Sequence, residues 1–161
     1  TVMAKVYLGL GTNLGNKEEN LRLTAEKLEE RIGEIISLSA FYITEPWGFD
    51  SVNSFFNAVC CIETNLFPFQ ILEETQLIEK KIGRNQKSVN GVYADRLIDI
   101  DLLLYDNLKI ESERLTLPHP LMTERRFVME PLAEIAPQLK HPTLGRTMKE
   151  LFDELVANEH P

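Results

Sequence analysis

The run from Ala94 to Tyr105, ADRLIDIDLLLY, constrains this chain more than any other segment. Its β-branched and aliphatic residues in a short unbroken run predict a strand. Side chains alternate along a strand, so Asp99 and Asp101 share one face while Ile98, Ile100, Leu102 and Leu104 point to the other. Carboxylates spaced in this way stand roughly 6–7 Å apart along the chain. They repel each other unless something positive lies between them. Hard divalent cations meet that demand, and Mg²⁺ is commonly held by one or two carboxylates together with substrate phosphates. Arg96, just upstream, carries a planar fork of donors suited to phosphate. The same Asp-x-Asp pattern also occurs on the solvated face of ordinary strands, so the spacing alone leaves both readings open. The apolar residues on either side favour a central strand over an edge.

The chain around this strand has an ordinary globular make-up. Its 161 residues are 43% hydrophobic and 26% charged, which fits one domain over 1–161 with a full core and no need of disulfides or structural zinc. A net charge of −8 argues against a nucleic-acid surface, which needs a dense basic patch. Cys60 and Cys61 are neighbours, without the spacing of a zinc site or a disulfide framework, and are expected to stay reduced. No run of ~20 apolar residues is present to span a membrane. Val2 to Leu10 lacks the form of a signal peptide, so a cytoplasmic location is expected.

Element order follows from periodicity and punctuation. Met3 to Leu10 predicts a strand, followed by a turn over Gly11-Thr12-Asn13-Leu14-Gly15. Asn16 with Glu19 has the spacing of a capping box, and Leu21, Ala25 and Leu28 continue a helix to about Arg31. Glu34 to Ile43 predicts a second strand, Thr44 to Asp50 a loop, and Phe56 to Thr64 a third strand. Pro68 suits a first helical turn, Ile71, Thr75, Ile78 and Ile82 follow at i+4 intervals, and Gly83 closes the helix. The strand with the two aspartates comes next. The order βαββαβ is that of a ferredoxin-like α+β sandwich. Beyond it, Leu108 to Leu117 predicts an extra strand, Glu124 to Ala136 short helical pieces, and Thr147 to Ala157 a terminal helix.

Few motifs carry chemistry by themselves. Gly9-Leu10-Gly11-Thr12-Asn13-Leu14-Gly15 does not match a dinucleotide fingerprint, which would need glycine at Leu14, and no G-x-x-x-x-G-K-[ST] phosphate loop is present. The glycines read instead as a tight turn. Phe55, Asn57 and Val59 share one strand face, where a flat heterocycle can stack on the ring while the amide reads its edge. Aromatic residues in strands more often fill a core. His119, between Pro118 and Pro120, sits in a rigid loop able to hold it beside a phosphate, although a lone histidine is more often structural.

Taken in order, these pieces resemble the 6-hydroxymethyl-7,8-dihydropterin pyrophosphokinases of folate biosynthesis. The likeness runs from Tyr7-Leu8-Gly9-Leu10-Gly11-Thr12-Asn13-Leu14-Gly15 to Glu130-Pro131-Leu132-Ala133-Glu134-Ile135-Ala136-Pro137. Between them lie Thr44-Glu45-Pro46-Trp47-Gly48, Phe56-Asn57-Ala58, Gly83-Arg84, Arg96-x-x-Asp99-x-Asp101, Arg114-Leu115-Thr116-x-Pro118-His119 and Arg125-x-Phe127. The resemblance implies an enzyme that moves the terminal diphosphate of ATP to the hydroxymethyl group of the reduced pterin and releases AMP. It implies two Mg²⁺ ions on Asp99 and Asp101, with Arg84 and Arg96 joining them in catalysis. A pterin would be held by Thr44, Pro46, Trp47 and Asn57, between the rings of Phe55 and Phe127. ATP would lie along Gln76, Glu79, Arg84, Arg96, Leu102, Arg114, Thr116, His119 and Arg125. The partners implied are these two small molecules, and the chain is expected to act as a monomer.

One segment departs from the family pattern. The family usually carries an arginine-rich mobile loop after Gly83-Arg84, ending in Arg/Lys-Trp-Gly-Pro-Arg. Here Asn85 to Asp95 is longer by about two residues, has Lys87 as its one basic residue, and puts Tyr93 for the Trp and Asp95 for the Pro. Pro120 also stands where some members have tyrosine. Two other readings compete: a kinase moving only the γ-phosphoryl group with the same carboxylates, and a ferredoxin-like binding module without turnover.

Overall fold

The computed structural model describes residues 3–44, 54–83 and 97–159. Five strands form one sheet: β1 (Ala4–Thr12), β2 (Gly33–Leu38), β3 (Tyr42–Thr44), β4 (Phe55–Thr64) and β5 (Asp99–Tyr105). Their order is β2-β4-β1-β5, with β3 also on β4, and every pairing is antiparallel. β1 and β4 are therefore central, and nearly every residue of β4 from Asn57 to Thr64 is buried.

Helices cover both faces because the strands are apolar on both. On one side α1 (Lys17–Arg31) and α2 (Pro68–Gly83) place Leu21, Leu28, Ile71 and Ile78 against Val6, Leu8, Cys60, Ile62, Ile100 and Leu102. On the other, α3 (Arg126–Ile135) and α4 (Met148–Glu159) pack Val128, Met129, Leu132 and Met148 on Val59, Leu103 and Leu104. Side chains cap the starts of two helices, the first of them at the expected Asn16. Asn16 Oδ1 accepts from Glu19 N at the start of α1, and Thr147 Oγ1 accepts from Glu150 N at the start of α4. Gly15, at φ +65°, makes the turn between β1 and α1 that a side chain would strain.

Four expectations need correction. The single strand Glu34 to Ile43 is two, β2 and β3, broken at Ser39. Ser39 Oγ donates to Ala40 O, a local bond of the kind that competes with the ladder, and accepts from Val59 N across the sheet. The strand Leu108 to Leu117 is a small hairpin, β6 (Ile110–Glu111) and β7 (Thr116–Leu117), turned by Ser112 Oγ accepting from Leu115 N. The alternation of the aspartate strand holds from Ile98 to Leu102 and then fails. The register slips between Tyr7 and Leu8, leaving an extra residue in β5 opposite them, and Leu103 and Leu104 both join the α3–α4 side. The first turn also starts later than expected, since β1 continues through Gly11 and Thr12.

Both cysteines are free and buried, and burial pushes the Cys60 thiol up to about 12, so it is held protonated and inert. No helix among the described residues is long and apolar enough to cross a membrane.

Candidate active site

The register of the central strands decides which side chains meet. Gly11 of β1 pairs with Asn57 of β4 on one side and with Asp99 of β5 on the other. Gly9 likewise lies between Val59 and Asp101. Directly opposed residues project from the same face. Asn57, Asp99 and Asp101 therefore rise on the α3 side of the sheet, separated by two positions of β1 with no side chain. Phe55, two residues before Asn57, shares that face, and Thr44 pairs with it from β3.

The start of α3 closes the opposite wall. Together these parts enclose a cavity of about 390 Å³, lined by Gly9, Gly11, Thr44, Phe55, Asn57, Asp99, Asp101, Arg125, Phe127 and Val128 among others. That volume suits a small organic ligand. Asn57 is 6% exposed, while Phe55 and Phe127 are 39% and 38% exposed. A buried amide beside two partly bare aromatic rings is an arrangement for a flat polar heterocycle. The Arg125 guanidinium lies 5.6 Å from the centre of the Phe127 ring, within range of a cation–π contact. The two rims are tied together by Glu134 of α3, which accepts from Tyr42 Oη at 2.6 Å and from Ala40 N. Burial first, and then Glu134, pushes the Tyr42 hydroxyl up to about 12, so it stays a donor.

A second group of the expected residues lines the outer edge of β5 and not this cavity. Glu79 of α2 accepts from Ile100 N at 2.8 Å, at the residue between the two aspartates. The His119 backbone N–H donates to Leu103 O, and His119 Nδ1 accepts from Leu121 N. His119 is pulled down from its ordinary value by burial and by Arg125, against an opposing pull from Asp101. It is thereby neutral at pH 7, with its proton on Nε2. Leu102 is buried beneath this edge. Farther along, Thr116 Oγ1 bonds to Ser112 O, and the Arg114 guanidinium lies 5.7 Å from the Phe69 ring centre and 4.0 Å from Glu73. Gln76 is exposed on α2. Pro46, Trp47, Arg84 and Arg96, with the atypical loop Asn85 to Asp95, lie outside the described residues.

Two hard carboxylates, with no cysteine among the cavity residues, form a donor set that suits Mg²⁺ and not a soft metal. No cluster of three or more His, Cys, Asp or Glu able to hold a metal occurs among the described residues. The glycines of β1 and Val128 were missed as site residues in the sequence. Two glycines at i and i+2 within a strand were the available signal, read there as part of a turn.

The buried histidines carry a pH prediction. Burial also holds His141 down, and its Nδ1 accepts from Thr143 N and Leu144 N, bonds that a proton there would break. Both groups bind protons more weakly folded than unfolded. Stability is then full above the unfolded value near 6.5 and falls as pH drops below it. Urea melts at about pH 7.5 and about pH 5.5 should show the midpoint falling with acid. The fall should shrink in His141→Gln, and an equal fall in that variant would rule out His141.

A family model described as 7,8-dihydro-6-hydroxymethylpterin-pyrophosphokinase matches residues 7–137. A protein of Porphyromonas gingivalis named 2-amino-4-hydroxy-6-hydroxymethyldihydropteridine pyrophosphokinase is 51% identical over 141 residues, covering 87% of this chain and 95% of its own length. One of the same name from Aquifex aeolicus is 39% identical over 152 residues, covering 94% and 92%. Among solved structures, wild-type Plasmodium falciparum HPPK-DHPS with pteroate superposes with a TM-score of 0.76 at 17% identity, over 97% of this chain. This chain spans 43% of that longer one, and the likeness is one of fold.

Proposed function

The chain belongs to the 7,8-dihydro-6-hydroxymethylpterin-pyrophosphokinase family, and from that premise we propose that it transfers diphosphate from ATP to 6-hydroxymethyl-7,8-dihydropterin, giving the pterin diphosphate and AMP for folate biosynthesis. The observation that carries this reading is the cross-strand register, which sets Asn57 and the aspartate pair on either side of one bare strand within one cavity. A pterin edge read by Asn57 would put its hydroxymethyl arm toward the aspartates. Thr44, Pro46 and Trp47 would complete the pterin site, and the whole chain would act as one monomeric, ferredoxin-like domain.

In the reaction the hydroxymethyl oxygen bonds to the β-phosphorus of ATP, in line with the bond from that phosphorus to the α,β-bridging oxygen. That bond breaks, its electrons stay on the AMP phosphate, and the alcohol proton passes to solvent or phosphate. Two Mg²⁺ ions, held by Asp99 and Asp101, would neutralise charge on the phosphate oxygens. The chain's own part is positioning and electrostatics. Arg125 puts a positive charge on the cavity wall, and neutral His119 has an N–H to offer a phosphate oxygen. Arg84, Arg96, Arg114, Thr116, Gln76, Glu79 and Leu102 would take the rest of the nucleotide. Glu79 also holds the β5 backbone between the aspartates.

The nucleotide product tests the reading directly. With ATP, Mg²⁺ and the hydroxymethyl pterin, AMP should appear in step with pterin diphosphate, whereas ADP would mean transfer of the γ-phosphoryl group alone. Chelating the metal should stop turnover. The two rings give a finer check: Phe55→Ala and Phe127→Ala should each weaken pterin binding by about 1–3 kcal/mol and leave ATP binding nearly unchanged. Calorimetric titrations losing both ligands equally would assign the rings to packing.

A further inference from the structure

We infer that Gly11 is a specificity-determining position that acts through Asn57, its missing side chain holding the amide in the one direction that reads the heterocycle. This rests on the pterin reading above. The backbone does not itself ask for glycine here. Gly11 lies inside β1, and the positive φ values among the described glycines are at Gly15 and Gly145. What requires glycine is the neighbour across the ladder. A Cβ at position 11 would lie 2.8 Å from Asn57 Oδ1, closer than real Cβ contacts come, with the Asn57 Cγ next at 3.9 Å. Only the amide oxygen stands in the way.

Gly9 gives the contrast on the same strand and face. A Cβ there would meet the Leu103 side chain at 3.6–3.8 Å, an ordinary contact. The restriction at position 11 is therefore local to Asn57. Because the obstacle is the end of a side chain and not backbone, Gly11→Ala should fold, with the cost falling on the direction of the amide. Asn57 is buried, so it has little room to turn and still present both its acceptor and its donors to a ring edge. A misdirected amide leaves polar atoms of the ring unpaired, which is costly in a buried site.

The test is a double-mutant cycle on Gly11→Ala and Asn57→Ala, read by pterin and ATP dissociation constants and by the Asn57 side-chain amide signals in NMR. Gly11→Ala should raise the pterin Kd by roughly tenfold or more, with the ATP Kd within about twofold, and should shift the Asn57 amide signals in the ligand-free protein. Added to Asn57→Ala, it should change the pterin Kd little further, since coupled residues are not additive. An unmoved Asn57 signal, an unchanged pterin Kd, or full additivity would overturn the inference. If Gly11→Ala alone is too unstable to study, the double variant should recover the stability of Asn57→Ala, and failure to recover would mean that position 11 serves the backbone. The wild-type protein separates the two claims. Failure of wild type to bind the pterin overturns the proposed function, while the NMR arm still decides the Gly11–Asn57 contact.

Discussion

Asp101→Ala is expected to abolish turnover and leave the folded chain intact. Asp101 lines the cavity, across from Gly9 and half-buried. With Asp99 it makes a like-charged pair on one strand face, so losing one member relieves repulsion in the metal-free protein. The thermal midpoint should therefore hold or rise. Losing a metal ligand removes several kcal/mol of stabilisation of the charge that develops on the transferred group. That corresponds to a fall in kcat of about 10³-fold or more. Asp99→Ala should behave alike. Asp101→Asn distinguishes charge from shape, and should be nearly as inactive because a neutral amide oxygen lacks the charge with which a carboxylate holds Mg²⁺. A second readout is independent of catalysis. Asp101 pulls the His119 value upward, so its removal should let His119 fall further, visible in an NMR titration. Near-normal Mg²⁺-dependent turnover in both alanine variants would end the metal assignment.

Local signals carried far in this chain, and pairing signals did not. The four aliphatic and threonine positions of α2 all came out buried, because 3.6-residue spacing is a property of the helix alone. The Asn16 cap was equally legible, since its partner is three residues away. The Ser112 turn, closed on Leu115 three residues away, was local too and was passed over. The break at Ser39 was not legible, because it depends on a serine hydroxyl meeting the Val59 backbone, twenty residues on, which only the assembled sheet brings near. The same holds for the site. Asp99, Asp101, Phe55 and Asn57 were picked out as residues with chemistry, yet nothing in the residues' own spacing says that β1 lies between them with a glycine opposite each aspartate. Leu104 shows the cost of reading one strand alone. The slip of register against Tyr7 and Leu8 sends it to the face opposite the one that strict alternation assigns.

Arg125→Ala should be the most damaging change on the α3 wall, lowering kcat/KM by about 10²–10³-fold, the scale of losing one well-placed donor to developing charge. The residue does not serve the helix with its side chain. It occupies the cap position of α3 with no side-chain cap bond, and its carbonyl, which alanine keeps, accepts from Val128 N and Met129 N. The variant should fold and melt close to wild type. What it loses is a positive charge lining the same cavity as Asp99 and Asp101, and the cation beside the Phe127 ring. The first loss falls on the phosphates and the second on the pterin. Arg125→Lys separates them, since lysine keeps the charge and gives up the planar fork and the stack. It should recover part of kcat and leave the pterin Kd weaker by about 0.5–1 kcal/mol. Phe127→Ala should show the reverse pattern, with pterin binding impaired and phosphate transfer from saturated enzyme largely kept. His119 reports on the charge directly: Arg125 depresses it, so its value should rise in Arg125→Ala and stay low in Arg125→Lys. Turnover within about threefold of wild type in Arg125→Ala, with His119 unmoved, would remove Arg125 from the phosphate site and leave it only the ring to support.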